Sequence, residues 1–170
     1  VTETAPDGTM TKSYFWQDDA RKGRVYKTAV HASGPEGMFL RAETVYNYGK
    51  TALTEYPISD KYEHAWVHLD SQYSRLYKTD GTYTGGTKTT FTYDPTYGNL
   101  IEKREYDTAA GTEPYYRKTI ITYNPNNTAA TYIVGAPVRQ KVMDGSGNIL
   151  TDVLYYYNYS NCLACAPTAN

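Results

Sequence analysis

Near the C-terminal end of the sequence, Cys162 and Cys165 stand in Cys-Leu-Ala-Cys, the spacing of a thioredoxin-type redox pair and of half a structural zinc site. Redox chemistry would need a βαβ setting that the flanking residues do not offer. Zinc would need two more ligands, and the only histidines are His31, His64 and His68. A local disulfide or a pair of free thiols is the expectation, and an extracellular setting favours the disulfide. His64 and His68 share the four-residue spacing of a helical zinc pair. The alternation around them, Glu63-His64-Ala65-Trp66-Val67-His68, predicts a strand instead, where four residues span about 13 Å, too far for one ion to take both. Carboxylates such as Asp18-Asp19 would serve a glycosidase only at a defined separation across a groove. The 18 acids in 170 residues are an ordinary number for solvated loops. No G-x-S-x-G, phosphate loop or dinucleotide fingerprint occurs, and Gly85-Gly86 reads as a hairpin turn. Neither an enzyme site nor a cofactor is expected. Trp16, Trp66 and Tyr155, Tyr156 and Tyr157 could form an aromatic platform for sugar rings. Cross-strand aromatic pairing explains the same residues with no ligand and is preferred.

The elements that would carry these residues follow from composition. Leu, Ile, Val and Phe together number only 26 of 170 residues, but net charge is −1, so the paucity of aliphatics does not signal disorder. The chain carries 20 Tyr and many Thr, residue types that suit a pleated, half-buried surface. An all-β protein with few, short helices is predicted. Scattered Lys and Arg at a sequence pI near 6.3 argue against a nucleic-acid partner. No apolar run reaches the length of a membrane span, and Val1 to Met10 lack the basic start and apolar stretch of a signal peptide. With no initiator Met, a mature product or an excised piece of a longer protein is expected. Predicted strands are residues 24–31, 39–48, 63–69, 74–79, 88–93, 100–106, 116–123, 137–142 and 149–157. The charged middle of 100–106 suits a solvent face or an edge that must not pair.

One punctuation mark recurs. Tyr93-Asp94-Pro95-Thr96-Tyr97-Gly98-Asn99-Leu100 is matched by Met143-Asp144-Gly145-Ser146-Gly147-Asn148-Ile149-Leu150, each followed by a strand that ends in tyrosine. Ile121-Thr122-Tyr123-Asn124-Pro125-Asn126-Asn127 keeps the strand and the turn entry but lacks Gly-Asn. Asp can bond its own turn backbone and Gly accepts positive φ, so the motif reads as a hairpin punctuator.

These residues resemble the YD-repeat, or Rhs-repeat, family, clearest over residues 88–159. The resemblance implies an antiparallel, repeat-built sheet of shell or ribbon form, a structural role in a secreted or cell-surface bacterial protein, and further copies or adjoining repeat strands as partners through open edges. Asp94-Pro95 to Leu100 superficially echoes the aspartate motif through which some members cleave themselves, with two extra residues, and no catalytic role is carried over. Three regions are expected: a β-rich segment over 1–87, repeat-like hairpins over 88–159, and a tail over 160–170 with the cysteines. The alternative reading is a carbohydrate-binding or adhesive β module whose surface aromatics take glycans.

Overall fold

The computed structural model describes residues 1–34, 37–52, 65–108, 114–124 and 134–157. They form ten strands and no helix: β1 (Thr2–Thr4), β2 (Met10–Phe15), β3 (Val25–Gly34), β4 (Gly37–Ala52), β5 (Ala65–Tyr77), β6 (Tyr83–Tyr93), β7 (Leu100–Tyr106), β8 (Arg117–Tyr123), β9 (Pro137–Asp144) and β10 (Ile149–Leu154). Strand order follows chain order in an antiparallel sheet, with β1 and β10 at its ends. The chain divides into two compact units. Of the described residues, the first holds 1–90 with Asp107 and Thr108, and the second holds Phe91–Tyr106 and 114–157, so β6 contributes to both.

In the first unit, β2 to β6 are held in continuous register, with a shift in each ladder, as at Tyr14/Phe15, Val30/His31, Asn47/Tyr48 and Leu76/Tyr77. Each such irregularity bends its strand and adds right-handed twist. Alternation then sorts side chains by chemistry. Lys12, Lys27, Glu43, Tyr73, Arg75 and Lys88 fall on one face. The row Ser13, Thr28, Thr44, Ser74 and Thr87, opposite one another strand by strand, falls on the other. The second unit pairs β7 with β8, β8 with β9 and β9 with β10.

The described residues of neither unit build a deep core. Among the described residues only Ala29 and Val138 are buried apolar side chains, and no large side chain is fully buried. The buried polar groups are instead Glu43, Ser71, Glu105 and Asn124. Cohesion comes from ladder hydrogen bonds and cross-strand pairs.

Three expectations need correction. The two strands expected over 63–69 and 74–79 are, in their described part, one strand, β5 (Ala65–Tyr77), with Ser71 buried within the ladder, where Asn47 Nδ2 donates to its hydroxyl at 3.2 Å. The strand carrying Leu100–Tyr106 is neither an edge nor unpaired; its Glu105 is buried and bonded to Arg117 across the ladder. Gly85 and Gly86 lie inside β6, opposite Leu76 and Arg75, and the β5–β6 turn is made by Lys78–Thr82. β1 and β2 are additional strands that the sequence reading did not place.

Candidate functional site

Five hairpins share one backbone frame. The first residue of the turn donates its N–H to the carbonyl just after a glycine, and that glycine donates back to the first residue's carbonyl. The pairs are Ala5 with Gly8 and Thr9, Trp16 with Gly23 and Arg24, Lys78 with Gly81 and Thr82, Asp94 with Gly98 and Asn99, and Asp144 with Gly147 and Asn148. The glycine φ values are +81°, +81°, +79°, +72° and +88°, a region that L side chains adopt at a cost. Two members of this set carry the recurring Asp…Gly-Asn motif. The three others, at Gly8, Gly23 and Gly81, lack Gly-Asn and were not foreseen; the legible signal at two of them is Asp-Gly.

The two motif copies add a carboxylate to the frame. Asp94 Oδ1 accepts the Thr96 and Tyr97 N–H groups at 2.9 and 3.1 Å, and its Oδ2 accepts the Asn99 N–H at 3.2 Å. Asp144 Oδ1 accepts the Ser146 and Asn148 N–H groups at 2.9 and 2.8 Å, while Asn148 Nδ2 donates to Oδ2 at 2.9 Å. Burial works against ionisation of Asp94, but the three backbone donors outweigh it and hold its carboxyl below the ordinary range. Asp144 is lowered chiefly by Asn148. Both carboxylates are thereby engaged with their own turns.

A pocket of about 280 Å³ opens beside the first copy, within the second unit. Asp94, Tyr97 and Asn99 form its turn wall, and Ile101, Ile121 and Tyr123 line it from β7 and β8. Tyr123 Oη donates to the Leu100 carbonyl at 3.0 Å, tying the two strands where the turn ends. Tyr93 closes β6 half-buried, and Leu100 opens β7 half-buried. The second copy differs on this point. Ile149 and Leu150, which hold the places of Leu100 and Ile101, are 54% and 60% exposed.

Buried carboxylate clamps were not foreseen. Glu43, only 6% exposed, receives Lys27 Nζ at 2.6 Å, Arg75 Nη1 at 3.0 Å and Tyr77 Oη at 2.7 Å. Burial opposes its ionisation, yet these donors hold its pKa at about 2. In the second unit Glu105 takes Arg117 Nη2 at 2.7 Å and Lys103 Nζ at 3.0 Å. Arg117 is the main cause of the lowered Glu105 pKa, against the opposing effect of burial.

The aromatic candidates fall in different units. Trp66, in β5 of the first unit, leans on the His68 ring with centroids 4.4 Å apart, and His68 Nδ1 lies 2.7 Å from Asp70 Oδ1. In the second unit Tyr155 donates its backbone N–H to the Val138 carbonyl, and Tyr157 Oη donates to that of Pro137. Tyr156 between them is 76% exposed. His64, Cys162 and Cys165 lie outside the described residues. Among the described residues no group of three His, Cys, Asp or Glu side chains could hold a metal ion, and no helix is long and apolar enough to cross a membrane. Comparison with protein-family models, with curated proteins and with solved structures gave no match.

Proposed function

We propose that the chain is a structural assembly segment, a run of YD-type hairpins that forms part of a secreted or cell-surface β shell or fibre in a bacterium. It joins further copies of itself, or adjoining strands, by edge-to-edge pairing. The observation that carries this reading is β10. All six of its residues are exposed, four of them aliphatic, in a protein whose described residues bury almost no apolar side chain of their own. The outer edge of such a strand presents a row of N–H and C=O groups that templates another strand. Chemistry plays no part in this reading: the singled-out carboxylates Asp94, Asp144, Glu43 and Glu105 are spent on turns and clamps.

Light scattering of the purified chain across a dilution series tests the proposal. Mass rising with concentration is the expected result. A monomer at every concentration would overturn it and leave the carbohydrate-binding reading, to be tried on glycan arrays with Trp66→Ala and Tyr156→Ala.

A further inference from the structure

The two hairpins with the Asp…Gly-Asn turn can be laid on one another residue by residue, Leu100 on Ile149, Ile101 on Leu150 and onward to Tyr106 on Tyr155. They differ in what lies beyond their second strand. β7 is followed by β8, and all seven of its residues are half-buried or buried; β10 has no strand beyond it among the described residues, and all six are exposed. Ile101 meets Ile121 and Tyr123 around the pocket, whereas its counterpart Leu150 stands 60% exposed. The Leu100 carbonyl receives Tyr123 Oη, and the corresponding acceptor is the carbonyl of Ile149.

Proline and lysine, two of the usual guards of a free edge, are missing from β10, whose ladder with β9 shifts register between Ile149 and Thr151. The one charge in Ile-Leu-Thr-Asp-Val-Leu, Asp152, is bonded to Arg139 Nε at 2.8 Å. β1, at the other end of the strand order, is only Thr-Glu-Thr. Building on the assembly reading above, we propose that the outer edge of β10 is an acceptor site for one antiparallel protein strand of β8-like chemistry. The incoming strand carries a branched aliphatic residue that meets Leu150 and, two residues later, a tyrosine that closes over Ile149, as Ile121 and Tyr123 do on β7. Main-chain hydrogen bonds supply the affinity and these two side chains supply the register, as in β-strand addition generally.

A fluorescein-labelled peptide spanning Tyr115–Asn124, titrated with the full chain and followed by anisotropy, tests this. Saturable binding is expected, stronger than that of a scrambled peptide. Leu150→Asp in the chain and Ile121→Asp in the peptide should each weaken it at least about tenfold. Leu150 is exposed, so its variant should keep the far-UV circular dichroism of the parent; Thr151→Pro gives a second, backbone-level block of the same edge. Equal binding of the scrambled peptide, or undiminished binding to both edge variants, overturns the proposal. The result is separable from the assembly reading. A chain that associates on concentration while ignoring the peptide refutes the β10 site alone, and a monomeric chain that takes the peptide through Leu150 upholds the site and refutes self-association.

Discussion

Gly147 and Glu43 mark the two kinds of residue on which this protein depends. Gly147 sits at φ +88° with open space where a Cβ would be, so Gly147→Ala carries backbone strain and no clash. A loss of about 1 kcal/mol is expected by chemical denaturation. Glu43 acts through charge. Its pKa of about 2 in the folded protein lies below the ordinary 4.5, so its contribution is complete above pH 4.5 and is lost as pH falls toward 2. Because Lys27 and Arg75 are themselves 34% and 41% exposed, the shift is discounted to about 2 kcal/mol. Glu43→Gln should therefore lower stability by about that much at pH 7 and match the parent near pH 2, which acid-denaturation curves of the two proteins would check. Only the first kind of residue was legible in the sequence. A turn is written in adjacent letters, whereas the clamp on Glu43 draws Arg75 and Tyr77 from 32 and 34 residues away.

Strands were legible where apolar and polar residues alternate, as in Arg117–Tyr123, and even Leu100–Tyr106 was legible as a strand, but its place inside the sheet was not. Leu100–Tyr106 looks too charged for an interior strand because each charge, taken alone, asks for water. In the sheet the neighbouring strand supplies partners instead. Lys118 Nζ reaches Glu102 Oε2 at 2.7 Å, and Arg117 reaches Glu105. The same holds for Asp70-Ser71-Gln72-Tyr73, which reads as a break and is the middle of β5. If pairing across β7 and β8 is what makes that strand interior, removing a buried anion should free both strands. Glu105→Ala leaves Arg117 and Lys103 without their acceptor at a cost of about 1–2 kcal/mol, given how exposed the cations are. Backbone amides of β7 and β8 should then exchange faster, while those of β2 and β3, held in the first unit, should exchange as in the parent. Uniform acceleration would show that the clamp holds no strand in particular.

The composition of the whole chain forecasts how it should associate. It has few aliphatic residues and a net charge of −1, and among the described residues only Ala29 and Val138 are buried apolar side chains. It also has an exposed strand whose one carboxylate is already paired. That this strand would stand exposed was not legible, because Ile149-Leu150 and Val153-Leu154 read like any half-buried strand until it is seen that no strand lies beyond β10 among the described residues. Association through such an edge rests on backbone hydrogen bonds and apolar burial, neither of which is screened by salt. The apparent mass at fixed protein concentration should thus be nearly unchanged between about 0.05 M and 0.5 M NaCl, a range over which the Debye length shrinks roughly threefold. Val153→Lys with Leu154→Lys removes two apolar side chains from the docking edge and sets cations there that a docking strand would have to desolvate, and should return the protein to a salt-independent monomer. Association that instead collapses with salt in the parent chain would mean that charged faces, such as the one bearing Lys27, Glu43 and Arg75, do the joining, and that β10 is only a strand end.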